Sequence, residues 1–184
     1  RSLQFRLYNS SYRGLRFHFH GTTREAYWVF LALPVLSVVS LFTLAPFAHH
    51  QLKRFQHANA SYGQTRFAFE APVGAFYRAY LITAGCLVLL GLIVLLVLGV
   101  AFGPSLAAED DGAGTLALQS ALVVVVIVAY VLGASMFWSL MTTQIRNIAW
   151  RHTALGQHRF ISTLEFHKLL GLVMANMLGV VVTL

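Results

Sequence analysis

The sequence predicts an all-α membrane protein: a multi-span helical bundle with short repeated strand or interfacial-helix elements between its spans. Three observations predict it. Hydrophobic residues make up 58% of the 184 and charged residues only 10%, against roughly 25% charged in soluble domains. Long stretches carry no charge at all. The thirteen Lys and Arg stand beside those stretches instead of spreading evenly along the chain.

Residues 1–26 form an N-terminal juxtamembrane element with Arg1, Arg6, Arg13, Arg16 and Arg24. The first apolar segment, residues 27–48, contains Pro34, Ser37, Ser40 and Pro46. Both its flanks are basic, so a single crossing would leave one basic flank outside, against the positive-inside bias. Re-entry would keep both flanks inside, and span and re-entry stay open as alternatives. Residues 49–78 form a basic cytoplasmic element with Lys53, Arg54, Arg66 and Arg78. Residues 79–108 read as a transmembrane helix, because about 30 uncharged residues at 1.5 Å each exceed the ~30 Å hydrocarbon core. Residues 109–115, opening on Glu109-Asp110-Asp111-Gly112, form an acidic turn without a basic residue and belong in the periplasm. A second transmembrane helix covers 116–141, a second basic cytoplasmic element 142–168, and a truncated transmembrane helix 169–184. The chain starts at Arg1 without Met and stops inside an apolar run, so it reads as a fragment of a longer protein.

The connecting segments carry an internal repeat. Arg16-Phe17-His18-Phe19, Arg66-Phe67-Ala68-Phe69 and Arg159-Phe160-Ile161 each precede an apolar segment. Upstream of each stands an Asn followed three residues later by an aromatic: Asn9 and Tyr12, Asn59 and Tyr62, Asn147 and Trp150. Gly14, Gly63 or Gly156 then follows. The alternation places Phe17 and Phe19 on one face of a short strand and Arg16 and His18 on the other; Phe67 and Phe69 separate from Arg66 in the same way. Gln51–Phe55 and Gln144–Trp150 read as interfacial helices, since Trp, Phe and basic residues suit the headgroup layer. The third copy lacks its second Phe. Candidate structural or interfacial residues are therefore Arg16, Phe17, Phe19, Arg66, Phe67, Phe69, Arg159, Phe160, Asn59, Asn147 and Trp150. Asn176 joins them as the one amide deep in an apolar segment. Gly99/Gly103, Ala129/Gly133 and Ser135/Ser139 have the small-xxx-small spacing of close helix contacts.

This order of Asn, aromatic, Gly, Arg-Phe and apolar helix, with Thr43-Leu44-Ala45-Pro46-Phe47 and Arg146–Gly156, resembles the YjgN-like family of bacterial inner-membrane proteins. Ala45 and Phe47 replace the family's usual Gly and Trp. The resemblance implies an inner-membrane, multi-pass location and further copies of the unit, and transfers no active site. It also implies partnership with a membrane-linked metallopeptidase or another membrane protein.

The residues point to no catalytic chemistry. His18/His20 and His49/His50/His57 are the tempting groups, but a zinc site needs three or four converging ligands. No His-Glu-x-x-His, Gly-x-Ser-x-Gly or phosphate-binding loop occurs, and Cys86 lies in an apolar run that suppresses its thiolate. No metal, cofactor or enzymatic activity is expected. The net charge of +7 is distributed beside apolar segments, which favours anionic lipid headgroups over nucleic acid. The expected function is a non-enzymatic membrane component acting through protein or lipid contacts. The alternative is a transporter or channel subunit built from internal repeats.

Overall fold

The computed structural model describes residues 2–106 and 113–183, so the acidic turn Glu109-Asp110-Asp111-Gly112 lies outside the described residues. Two-residue turns fold the basic connecting segments into β-hairpins. In the first, Arg13 and Gly14 both have positive φ, +50° and +80°, as a type I′ turn demands. In the other two, Gly63 and Gly156 open the turn at +57° and +58°, where a side chain would be strained. The turns join β1 (Ser11–Tyr12) to β2 (Leu15–Phe19), β3 (Ala60–Tyr62) to β4 (Thr65–Phe69), and β5 (Thr153–Leu155) to β6 (His158–Arg159). Hairpin then pairs with hairpin, Phe19 opposite Ala60 and Phe69 opposite Thr153, giving a six-stranded antiparallel sheet in sequence order.

This sheet overturns the all-α expectation. A lone Arg-Phe-x-Phe strand leaves its amides and carbonyls unpaired. Each turn returns the chain alongside it, and a neighbouring hairpin pairs with its other edge. The multi-span expectation is corrected as well. Among the described residues two helices are long and apolar enough to cross a membrane, Val73–Phe102 and Leu118–Arg151. They lie in α5 (Val73–Leu106) and α6 (Ala113–Arg151). Only 6% of each apolar window is buried, which separates them from the core helices of a soluble protein.

The first apolar segment is not one helix. After α1 (Ser2–Tyr8), α2 (Thr23–Tyr27) begins with a reciprocal cap: Glu25 N–H donates to Thr22 Oγ1, and Thr22 N–H to Glu25 Oε2. A π-helical turn, Trp28–Ala32, follows and leads into α3 (Leu33–Val39). Pro34 lacks the N–H that would complete the ordinary ladder, and Leu33 N–H bonds five residues back to the Trp28 carbonyl. The chain then reverses, with Leu41 and Phe42 at φ +50° and +63°. Ser37 donates to the Leu33 carbonyl, Ser40 to Ser37 and Thr43 to Ser40, while Phe42 N–H reaches the Ser37 carbonyl at 2.7 Å. Here the serines serve the backbone of a bend. Beyond it α4 (Ala45–Ala58) packs back along α3 and the π-helical turn. Gln51–Phe55 is thus the middle of α4, and Gln144–Trp150 is the last part of α6; neither is a separate interfacial helix.

The chain forms two compact units. The first, Arg1–Tyr80 with Gln144–Leu164, contains the sheet. Its core gathers Val29, Leu33 and Phe55 against Phe19, Phe47 and Leu52, and also buries Phe76, Ala79, Ile145 and Ala149. The second, Leu81–Thr143 with Glu165–Leu184, contains most of α5 and α6 and all of α7 (Phe166–Thr183). Its surface is apolar: Leu81, Val88, Leu95, Val124 and Tyr130 are exposed. What it buries is small and polar, namely Thr83, Ser135, Ser139 and Thr143 beside Leu140. Of the three small-residue spacings, Ser135/Ser139 is buried, Gly133 lies under the Leu90 side chain, and Gly99 faces open space.

Candidate functional site

The sheet sorts its side chains by chemistry. Cross-strand partners share a face, and along a strand every second residue returns to it. Arg16 and His18 therefore share a face with Ser61, Arg66, Ala68, Ala154 and Arg159 through the observed register. The three arginines are exposed and sit on alternate strands, about 10 Å apart by strand spacing. The opposite face is aromatic. Phe17 packs on Tyr62, Phe19 on Phe55, Phe67 on Phe160, and Phe69 on His57. Arg16, Phe17, Phe19, Arg66, Phe67, Phe69, Arg159 and Phe160 are thus brought together in one sheet, arginines on one side and aromatics on the other.

The asparagines divide. Asn59 ends α4, its side chain donating to the Phe55 carbonyl at 3.1 Å while its own carbonyl accepts His20 N–H. Asn147 and Trp150 lie inside α6, so they are not the counterparts of Asn59 and Tyr62. By hairpin register Leu155 matches Tyr62, which puts His152 in the place of Asn59. His152 Nδ1 bonds the Ile148 carbonyl four residues back, as Asn59 does with Phe55. Asn147 instead ties down the chain after β6, accepting from Ser162 Oγ and Leu164 N–H and donating to the Leu164 carbonyl. Trp150 meets His57 and Phe160 edge-on. Asn176 is exposed on α7.

A polar face on α4 escaped the sequence reading. Ala48, Leu52 and Phe55 turn toward Val29 and Leu33. His49, Lys53 and His57, spaced four apart, occupy another side of the helix. His49 Nδ1 is hydrogen-bonded to the Tyr80 hydroxyl at 3.1 Å, and His50 Nε2 donates to the Ala71 carbonyl at 2.9 Å. Thr153 gives its one hydroxyl proton to the Ala149 carbonyl at 2.7 Å, so its oxygen accepts from His57 Nδ1 at 3.3 Å. That assigns the proton of neutral His57 to Nδ1. Burial, and secondarily the Lys53 charge, holds His49 and His57 down at about 4. Burial and then Arg146 lower Lys53. His49 and His57 are therefore neutral packing groups at pH 7. Among the described residues no three His, Cys, Asp or Glu side chains gather as metal ligands. The i, i+4, i+8 spacing was the available signal for this face.

On another side of α4, a groove of about 890 Å³ runs beside α2 and the π-helical turn. Arg24, Arg54, Gln51 and Asn59 give it polar walls, and Trp28 and Leu31 an apolar one. No sequence spacing announces it, because its two sides meet only through the bend at residues 40–44.

The sequence model of the family described as "Bacterial protein of unknown function (DUF898)" matches residues 1–184, and the chain belongs to that family. The resemblance to YjgN-like proteins agrees with this membership. Neither a curated protein nor a solved structure matches the chain.

Proposed function

We propose that this member of a bacterial family of unknown function is a non-enzymatic component of the inner membrane, held there by α5 and α6. On this reading its sheet-bearing unit works at the anionic headgroup layer. One observation carries the proposal: Arg16, Arg66 and Arg159 lie on one sheet face while the aromatic side chains pack on the other. Each basic side chain near an anionic surface contributes about 1 kcal/mol of attraction, and three on one face act together. The three helix–hairpin units support an origin in an internal repeat, although the third aligns through His152 and Leu155 instead of Asn147 and Trp150. Exposed residues beside the arginines also suit another membrane protein, such as a membrane-linked metallopeptidase.

The test uses Ala68→Cys in a Cys86→Ala background, since Ala68 shares the arginine face and is exposed. Maleimide labelling should slow several-fold when phosphatidylglycerol replaces phosphatidylcholine in the surrounding bilayer. Equal rates in both lipids would rule out headgroup contact by this face. Probes at Gln56 and Ala113 report topology: the proposal expects the first to react from the cytoplasm and the second from the periplasm. The reverse pattern overturns the orientation.

A further inference from the structure

The groove beside α4 presents two kinds of chemistry. Arg24 and Arg54 line it and are both exposed. Among the described residues the ion pairs are those of Glu165 with His167 and Lys168, so neither arginine is neutralised by a carboxylate at ion-pair distance. Glu25 also lines the groove, and its carboxylate accepts the Thr22 N–H. The other wall is apolar and uncovered. Trp28 is 56% and Leu31 62% exposed, and the apolar stripe continues through Val35 and Val38 to Phe42 at the bend. A small phosphate would satisfy the arginines and leave that wall in water. An amphiphile with a negative head and alkyl chains covers both. Trp28 stands one helical turn from Arg24, the spacing that suits an indole at the level just below a headgroup.

We propose that this groove binds one anionic phospholipid, its phosphate met by Arg24 and Arg54 and its acyl chains lying along Trp28 and Leu31 toward the bend. The site rests on the membrane reading above and adds a specific ligand to it. The basic sheet face makes many passing headgroup contacts; the groove retains one lipid.

Purified protein in detergent, equilibrated with equimolar phosphatidylglycerol and phosphatidylcholine, is examined by native mass spectrometry. One phosphatidylglycerol should remain bound in preference to phosphatidylcholine. Arg24→Gln with Arg54→Gln should reduce that retention on the order of thirty-fold, while Arg24→Lys with Arg54→Lys keeps most of it. Glycerol 3-phosphate at equal concentration should leave the lipid in place, because it lacks chains for the apolar wall. Equal retention of the two lipids, unchanged retention in the glutamine pair, or displacement by glycerol 3-phosphate overturns the proposal. Should the glutamine pair fail to fold, the lipid preference and the glycerol 3-phosphate arm still decide it. Labelling at Ala68 reports the sheet face separately: a phosphatidylglycerol effect there without a retained lipid removes the groove and leaves the broader reading standing.

Discussion

His49 and His57 show how position changes a residue that composition alone would place at the wet interface. Each sits at about 4 in the fold against 6.5 when exposed. Above pH 6.5 both are neutral folded or unfolded, and the fold has its full stability. Between 6.5 and 4 the unfolded chain takes up protons that the fold refuses, so stability declines as pH falls through that window and levels out below it. Burial is the larger cause of that refusal, and the Lys53 charge beside both rings adds to it. The melting temperature of detergent-solubilised protein should therefore drop between pH 7.5 and 4.5, and His49→Phe with His57→Phe should shrink that drop. An unchanged drop in the double variant would place the titrating groups elsewhere. Gly21 gives a second prediction. A Cβ there would come within 2.5 Å of Phe19 and 2.7 Å of buried Phe55. Gly21→Ala should lose about 1–3 kcal/mol through overpacking. Gly74→Ala, whose Cβ meets open space in the first turn of α5, should stay within about 0.5 kcal/mol of the parent. Chemical denaturation of the two variants gives the comparison, and losses of equal size would deny the close packing at Gly21.

The hairpins are the elements whose inner and outer faces were legible beforehand. Burial in β2 and β4 follows the same alternation, with Phe17, Phe19, Phe67 and Phe69 more covered than the residues between them. Phe67 stacks on Phe160 and stands opposite Leu155, whereas Ala68 is exposed. Phe67→Ala should cost on the order of 3 kcal/mol, and Ala68→Ser within about 0.5. Yields of folded protein should rank the same way, and equal yields would deny the facing. The partner strands β1, β3 and β5 were not legible: two or three residues such as Ser11-Tyr12 or Thr153-Ala154-Leu155 have too little alternation to mark a strand. The bend at 40–44 was hidden for a different reason. Leu41 and Phe42 at positive φ are not turn-forming types, and Ser37, Ser40 and Thr43 support them only once the chain has already reversed.

Across the molecule, the two long helices bear on what passes through a membrane. No Asp, Glu, Lys, Arg or His occurs between Ala79 and Phe102 or between Leu118 and Met141. Coupled ion carriers keep such groups in their spans despite a cost of several kcal/mol. Vesicles containing the protein should therefore show no proton- or sodium-coupled flux above empty controls, and a robust coupled flux would refute this. Asn176→Leu should change nothing in that assay, since Asn176 is exposed on α7. The sequence by itself determined the apolar helices, the basic composition of the connecting segments and the faces of β2 and β4. These are local quantities, carried by hydropathy over a window and by period-two alternation. Only the tertiary structure decided that the connecting segments form one sheet, that the first apolar segment folds back, and that Arg24 and Arg54 share a groove. Those facts depend on groups far apart in the chain, such as His20 bonding Ser61 across 41 residues and His57 meeting Thr153 across 96. No local pattern encodes which strand edge or helix face will close upon another; the unpaired backbone and uncovered aromatics of each segment settle it by finding one another.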